Sequence, residues 1–324
     1  MNKKLLFIAG AFAILCFAAL AFSNSFIAEK IDDAVSDYIR EIENDSNLEI
    51  GYDDLTYNLI TSTITLQDFE FTESKDVIEI GTIDFKIGLD DLRKLSESDQ
   101  NSALSDFTMT CYEMDASVEG ESFEMTKGTL DYSGRLSMED DDQSVRLLRI
   151  ELIELESNVD DMAFDVGYLN FSVDAGDEAL DLQTLTNLDN ASLIALKDIK
   201  MALRISDMDL PRASTREMEL DDLGIGALLI NDLEINANRN GDDLSFFFSF
   251  DTDMAEGMLD CTLDYSKSEI DPDIEFELSL NNLDKSIRQV LERRIDWGKD
   301  QDEFEFEFTG TVSEMGAALL ESVQ

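Results

Sequence analysis

Most of the chain alternates between apolar and polar residues with a period of two. The alternation begins at Leu48 and continues, with interruptions, as far as Phe308. A period of two gives a strand one apolar face and one solvated face, which is typical of half-buried antiparallel sheets. The pattern therefore predicts an α+β protein that is mainly β, with curved antiparallel sheets that meander from each strand to its neighbour.

A helical spacing of three and four residues interrupts this pattern in a few places. Residues 24–46 carry apolar positions at that spacing and predict an amphipathic helix. Residues 282–295 and 313–323 predict two further short helices. Residues 178–203 begin with helical spacing, whereas residues 196–210 fit a helix or a strand equally well. We expect the short helices to pack on the sheets.

An uncharged stretch of eighteen residues, 5–22, precedes the alternating region. At 1.5 Å per residue it can just span a hydrocarbon core of about 30 Å as a helix. Lys3 and Lys4 on its short N-terminal side orient that end towards the cytoplasm, so the bulk of the chain is expected outside. The residues that represent this predicted membrane anchor are Leu5, Phe7, Ile14, Phe17 and Leu20.

Two other interpretations of this stretch involve processing. Ala19-Leu20-Ala21 supplies an A-x-A site, so cleavage of a signal peptide after Ala21 stays open. A lipoprotein signal needs a small residue before Cys16, and Leu15 occupies that position. The length of the apolar run and its continuation into a helical segment favour an uncleaved anchor.

The pattern divides the chain into four parts. Residues 1–23 form the cytoplasmic tip and the anchor, and residues 24–46 the amphipathic helix. Residues 47–210 and 211–324 form two β-rich halves of the ectodomain. The boundary between the halves rests on Pro211 and the charged residues after it, so a single ectodomain stays open.

The charge balance changes the functional picture. The chain has 73 acidic and 24 basic residues, which gives a net charge of −49. Such a surface repels nucleic acid phosphates and anionic lipid headgroups, so contact with lipid has to involve apolar side chains. One interpretation of the charge is adaptation to high salt, where the Debye length falls to about 3 Å at 1 M. The other is an ordinary acidic protein.

The sequence predicts no enzyme, metal site or cofactor. It contains no histidine, which removes Ser-His-Asp and Cys-His catalysis as well as imidazole metal ligands. Adjacent acids such as Asp53 and Asp54 are expected by chance among 73 acidic residues and are interpreted as solvated strand ends. Cys111 and Cys261 could form a disulfide in an oxidising compartment or remain buried thiols.

Two aromatic clusters are the candidate site. They could line an apolar groove that holds acyl chains, or they could be sheet core packed against the helix of residues 282–295. Sequence alone does not separate the two interpretations, because half-buried strands have the same pattern in both. The candidate groove residues are Phe246, Phe248, Phe250, Phe304, Phe306 and Phe308.

One arrangement of an apolar residue, glycine and alternating apolar positions recurs. It occurs at Ile80-Gly81, Val166-Gly167 and Ile225-Gly226, with intervals of 86 and 59 residues. The unequal intervals argue against a solenoid with a fixed period. They predict a long meandering sheet built from similar hairpins.

Residues 1–90 resemble a known family. The anchor, the short helix and the stretches NLEIGYDDLTYNLITSTITLQDFEF and VIEIGTIDFKIG are similar to the opening of AsmA-like and YdgA-like bacterial envelope proteins. Those families begin with one membrane helix and continue in curved antiparallel sheets, and the better-known members are associated with outer-membrane biogenesis and lipid handling. The chain, at 324 residues, is short for them.

The resemblance implies a non-enzymatic protein anchored in the bacterial inner membrane and facing the periplasm. Its expected partners are the lipid bilayer and either a lipid ligand or an envelope protein, but no nucleic acid. The functional expectation is that it binds or transfers lipid along an apolar sheet face. The alternative is a structural or protein-interaction module without a ligand, whose acidic surface reflects high-salt adaptation.

Overall fold

The computed structural model describes residues 39–40, 49–58, 60–87, 104–118, 120–136, 144–159, 162–176, 180–181, 198–217, 225–268, 270–285, 287–289, 303–315 and 318. Antiparallel strands dominate them, which confirms the mainly β class. The strands are β1 (Glu49–Gly51), β2 (Asp54–Asn58), β3 (Thr63–Glu73), β4 (Asp76–Ile87), β5 (Leu104–Val118), β6 (Glu121–Leu136), β7 (Ser144–Val159), β8 (Met162–Asp174), β9 (Leu180–Asp181), β10 (Asp198–Leu210), β11 (Leu228–Asn240), β12 (Asp243–Thr252), β13 (Glu256–Asp264), β14 (Asp273–Asn281) and β15 (Phe304–Thr311).

The chain divides into two compact units. Unit 1 comprises residues 1–157 and 179–182, and unit 2 comprises residues 158–178 and 183–324. The division therefore falls at the end of β7, and the boundary expected near residue 211 lies inside unit 2.

Unit 1 is a meander. Its strands are ordered β1-β3-β4-β5-β6-β7, with β2 also paired to β3 and β9 to β7. The alternation seen in the sequence is the alternation of burial: Ile78, Ile83, Ile87 and Met109 are almost fully buried, and the polar residues between them face solvent. The apolar side chains of β3 to β7 thus form one face.

An aromatic stack continues the apolar face of unit 1 at one end. The ring centroids of Phe85 and Phe107 lie 5.3 Å apart, and those of Phe107 and Tyr132 lie 5.1 Å apart. The Tyr132 hydroxyl donates a 2.7 Å hydrogen bond to the carbonyl oxygen of Ser144. Burial raises the pKa of Tyr132 to about 12. The phenol is therefore a neutral, hydrogen-bonded part of the core.

Unit 2 is also antiparallel, in the order β8-β10-β11-β12-β13-β14-β15. A short helix, α1 (Arg212–Glu217), connects β10 to β11. Ser214 and Thr215 hold it in place and are almost fully buried. The Ser214 hydroxyl donates a hydrogen bond to the carbonyl oxygen of Ala163. The Thr215 hydroxyl lies 3.1 Å from the carbonyl oxygen of Gly226.

The predicted helices are described only in part. Residues 39–40, 285, 287–289, 312–315 and 318 are helical, in agreement with the pattern, and the rest of those three segments lies outside the described residues. Residues 180–181 and 198–210 are strands, which corrects the helical interpretation at Leu180 and decides the ambiguous stretch. A strand at 198–210 forms because its apolar side chains pair across both β8 and β11.

The predicted anchor, residues 5–22, lies outside the described residues. Within the described part of the chain, no helix has the length and apolar character needed to cross a bilayer. The anchor therefore stays a prediction from sequence.

Candidate ligand-binding cavity

The alternation of unit 1 shifts by one residue at the same level of neighbouring strands. Buried positions run Ile64, Leu66 and then Phe69 on β3, and Ile78, Ile80 and then Ile83 on β4. At this point of each strand, two successive buried residues are therefore three positions apart, whereas elsewhere they are two positions apart. Because the steps are aligned across the sheet, the apolar side chains stay on one face.

A row of residues at these steps, the phase-shift row, consists of Asp68, Gly81, Glu113, Thr126 and Glu154. Three of them, on β3, β5 and β7, have left-handed backbone with φ of 50°, 56° and 52°. The two between them are small, and Thr126 Oγ1 donates a 2.7 Å hydrogen bond to Glu154 Oε2. The row therefore marks the level at which the apolar positions of each strand change phase.

Glycine at position 81 leaves space that the Glu113 side chain occupies. A Cβ at Gly81 would lie 2.9 Å from Glu113 Oε2 and 3.3 Å from Glu113 Cβ. The left-handed acidic residue thus covers the space that a side chain at position 81 would use.

Unit 2 repeats the arrangement. Asp207 on β10 has φ of 54° and lies opposite Gly167 of β8 and Asn231 of β11. A Cβ at Gly167 would lie 2.9 Å from Asp207 Cβ. The recurring sequence pattern at Gly81 and Gly167 therefore marks the same structural position in the two units. Gly226 precedes β11 and does not share it.

A cavity of about 360 Å³ opens on the apolar face of unit 1, at the phase-shift row. Its walls come from β3 to β7. Met114 and Met125 are cross-strand partners on one side of the row, and Met109 and Leu130 are partners on the other. Ligand pockets in proteins usually measure about 300–1,000 Å³. The volume thus fits a small ligand.

The lining is almost entirely hydrocarbon and thioether. Among the described residues it includes no charged side chain, and its polar side chains are those of Thr129 and Cys111. Gly128 makes room for a methionine, since a Cβ there would lie 2.6 Å from Met125 Cε. Methionine side chains are flexible and adapt to irregular apolar shapes. The cavity can therefore accommodate apolar groups of differing shape.

The polar face of the same strands is acidic. Its shallow depression is lined by the carboxylates Glu113, Asp115, Glu124, Glu154 and Glu156. No group of three or more residues suited to holding a metal ion occurs in the described part of the chain.

The predicted groove residues lie on one face of the unit 2 sheet. Phe246, Phe248 and Phe250 are on β12, and Phe304, Phe306 and Phe308 are on β15. Two strands separate them, and cross-strand pairs connect them through residues of β13 and β14. The structure thus brings all six to one apolar face, which we call the Phe face. The ring centroids of Phe248 and Phe250 lie 5.6 Å apart.

Part of this Phe face is core. Leu283, which is 6% exposed, forms a cluster with Ala255, against which Phe250, Phe304 and Ile287 pack. Leu283 and the cluster around it therefore cover the Phe250–Phe304 end of the sheet. At the opposite end Phe246 is 39% exposed. The packing at the covered end agrees with sheet core, and Phe246 is the member that solvent reaches most.

Cys111 and Cys261 are thiols and do not form a disulfide. Cys111 belongs to the cavity lining of unit 1 and is 7% exposed. Cys261 lies on the Phe face of unit 2, opposite Phe246. Burial, together with the neighbouring Asp260 carboxylate, raises the pKa of the Cys261 thiol.

Comparison of the chain with protein-family models, curated proteins and solved structures found no match. The fold and the cavity define the class: a mainly antiparallel β protein with an apolar cavity in unit 1.

Sequence reasoning placed the candidate groove in unit 2 and missed the cavity in unit 1. The signal for the cavity was present in the steps of three, such as Leu66 to Phe69 and Ile80 to Ile83. A single step of this kind looks like a strand end. Only the strand register reveals that the steps lie side by side.

Proposed function

We propose that this chain is a non-enzymatic, membrane-anchored protein of the bacterial cell envelope that binds lipid on an apolar sheet face. The observation that carries the proposal is the cavity of unit 1, with its volume of about 360 Å³ and its lining free of charged side chains among the described residues. An apolar cavity of about 150 Å³ already stays dry and binds benzene in another protein. A larger one of the same chemistry suits a hydrocarbon chain.

The envelope location is supported by the sequence. The uncharged stretch from Leu5 to Phe22 follows Lys3 and Lys4, which orients the remaining chain away from the cytoplasm. The resemblance of residues 1–90 to AsmA-like and YdgA-like proteins agrees with the same orientation and with lipid handling. The absence of histidine from the sequence supports a binding role over a catalytic one.

Native mass spectrometry of the detergent-extracted full chain tests this function. We expect a mass increment from bound lipid, which organic extraction then releases for identification. A chain that carries no lipid after gentle extraction, and takes up none from added bacterial lipid extract, contradicts the proposal.

A second candidate is a structural or protein-interaction module without a ligand. The packing of Phe250 and Phe304 against the cluster of Ala255 and Leu283 favours it for unit 2, because a covered sheet face is ordinary core. Under this alternative the same mass spectra contain only the bare chain, and crosslinking in intact cells identifies an envelope protein instead.

A further inference from the structure

We propose that the cavity of unit 1 takes the hydrocarbon chain of an uncharged, single-chain amphiphile and discriminates against anionic ones. This inference rests on the lipid-binding function proposed above and specifies the site and the ligand class. It replaces the Phe face of unit 2 as the place where the ligand binds.

The lining argues for an uncharged ligand. In the described part of the chain, no lysine or arginine lines the cavity, so an anionic group inside it would lose its hydration without gaining a counter-charge. Thr129 and Cys111 contribute the polar side chains of the lining, and both are neutral groups. Recognition therefore depends on the hydrocarbon part of the ligand.

The charges outside the cavity act in the same direction. Five carboxylates of β5, β6 and β7 line a depression to which Met114 and Met125 also contribute. The whole chain carries a net charge of −49, and a field of that sign lowers the local concentration of anions. Salt screens this long-range contribution, whereas the cost of dehydrating an anion in the cavity persists.

The size of the cavity argues for one chain. A volume of about 360 Å³ lies at the small end of the range for ligand pockets. The flexible side chains of Met109, Met114 and Met125 allow the wall to follow a bent or straight chain.

Alkylation of Cys111 reports on occupancy of the cavity. The full chain is held in an amphipathic polymer and treated with N-ethylmaleimide, and peptide mass spectrometry follows Cys111 and Cys261 in the same sample. Two matched probes serve as ligands: N-phenyl-1-naphthylamine, which is neutral, and its anionic 8-sulfonate. We expect the neutral probe to slow alkylation of Cys111 and not of Cys261, at a free concentration at least tenfold lower than the sulfonate requires. In molar NaCl we expect the difference between the protective concentrations of the two probes to become smaller but to remain.

Straight-chain alcohols test recognition of the chain. Each added methylene that enters the cavity is expected to raise the affinity about fourfold. The rise from decanol to tetradecanol should end where the cavity is full.

Matched variants locate the effect. Leu152→Trp fills the cavity from β7, and Ile153→Trp places the same side chain on the opposite face of the strand. We expect the first to lose protection of Cys111 by the neutral probe and the second to keep it. If Leu152→Trp does not fold, Gly128→Ala serves instead, because its Cβ would displace the Met125 side chain, which lines the cavity.

Four results would overturn the inference. The sulfonate could protect Cys111 as well as the neutral probe does, or Leu152→Trp could leave protection unchanged. Cys111 could also stay unreactive without any probe while the unfolded chain reacts, which would indicate that a segment of this chain fills the cavity. Lipid that co-purifies equally with Leu152→Trp and wild type sinks the inference and leaves the proposed function standing. Probe binding without any co-purified lipid contradicts the proposed function and leaves the inference about the cavity standing.

Discussion

Glycine and a left-handed acidic residue form a matched pair at two places in this protein. Gly81 faces Glu113 in unit 1, and Gly167 faces Asp207 in unit 2. A left-handed conformation costs a non-glycine residue about 1–2 kcal/mol, so it persists only where the surroundings require it. The glycine contributes to these surroundings, because its lack of a side chain leaves room for the acidic residue.

The two glycines are expected to differ in their tolerance of alanine. In Gly167→Ala the new Cβ meets Asp207 Cβ at 2.9 Å, and this atom is fixed by the backbone. In Gly81→Ala the nearest atom is Glu113 Oε2, the mobile end of a side chain. We expect Gly167→Ala to lower the free energy of unfolding by about 1–3 kcal/mol, and Gly81→Ala to lower it less.

Urea denaturation of the full chain measures both changes. Gly51→Ala is the control, since no atom lies within 4 Å of an added Cβ there. Equal losses in the variants at 81 and 167 would contradict this account of the two pairs of glycine and left-handed acidic residue.

Asp232 offers a prediction about pH. Burial by itself would raise its pKa, but hydrogen bonds from Ser206 at 2.8 Å and Arg204 at 2.9 Å outweigh burial and lower the pKa below its usual value. A lowered native pKa stabilises the fold above the unfolded-state pKa of about 3.9, and this stability is lost as the pH falls through the native pKa.

Asp232→Asn should therefore destabilise the protein at pH 7 and have a shrinking effect in acid. The group is largely exposed, so the expected loss at pH 7 is below about 1 kcal/mol. Urea denaturation between pH 7 and pH 2.5 measures the difference between variant and wild type. A difference that stays constant with pH would show that the charge of Asp232 is not the cause.

At the scale of elements, the strands β12 to β15 and the helical residues after Asn282 form one packing unit. The pairs Phe250–Gly257–Leu280–Phe304 run across four strands, and Leu283 and Ile287 pack on that row. Gly257 leaves space for the Phe250 ring, because a Cβ there would lie 2.4 Å from Phe250 Cε1. The covered end of the Phe face is thus built as core.

Truncation of one side chain at each end of the Phe face should distinguish the covered end from the exposed end by the loss of stability. Leu283→Ala removes a side chain that is 6% exposed and is expected to cost about 2–5 kcal/mol. Phe246→Ala removes a half-exposed ring and is expected to cost clearly less. Thermal and urea unfolding measure the two losses, with lipid content as a second readout. If Phe246→Ala abolished lipid binding while leaving stability intact, the groove interpretation of the Phe face would be restored.

At the scale of the whole molecule, the net charge of −49 is the dominant physical feature. Like charges destabilise a compact state, and salt reduces their range from about 10 Å at 0.1 M to about 3 Å at 1 M. If the acidic surface is an adaptation to high salt, the melting temperature of the full chain should rise by several degrees between low and molar KCl.

One control separates the possible effects of salt on the melting temperature. An uncharged osmolyte at matched osmolality separates charge screening from general exclusion of solutes. An unchanged or falling melting temperature in KCl would favour the ordinary acidic protein.

Periodicity determined much of this protein without coordinates. Alternating residues from Leu48 onwards specified antiparallel strands with one apolar face, because a period of two has only one consistent arrangement on a sheet. The same reasoning placed Phe246, Phe248 and Phe250 on one face of their strand, and the strand register then connects them to the aromatic residues of β15.

Tertiary structure decided what a one-dimensional pattern cannot contain. Local spacing at residues 196–210 fits two elements equally, and pairing with β8 and β11 makes this stretch a strand. On several strands two successive buried positions are three residues apart. These places lie side by side, and line a cavity, only because the strand register brings Gly81 beside Glu113. Register and cavity volume depend on contacts between residues tens of positions apart. For that reason the sequence by itself determined the apolar face of the strands, and the packing of the strands decided where on that face a cavity lies.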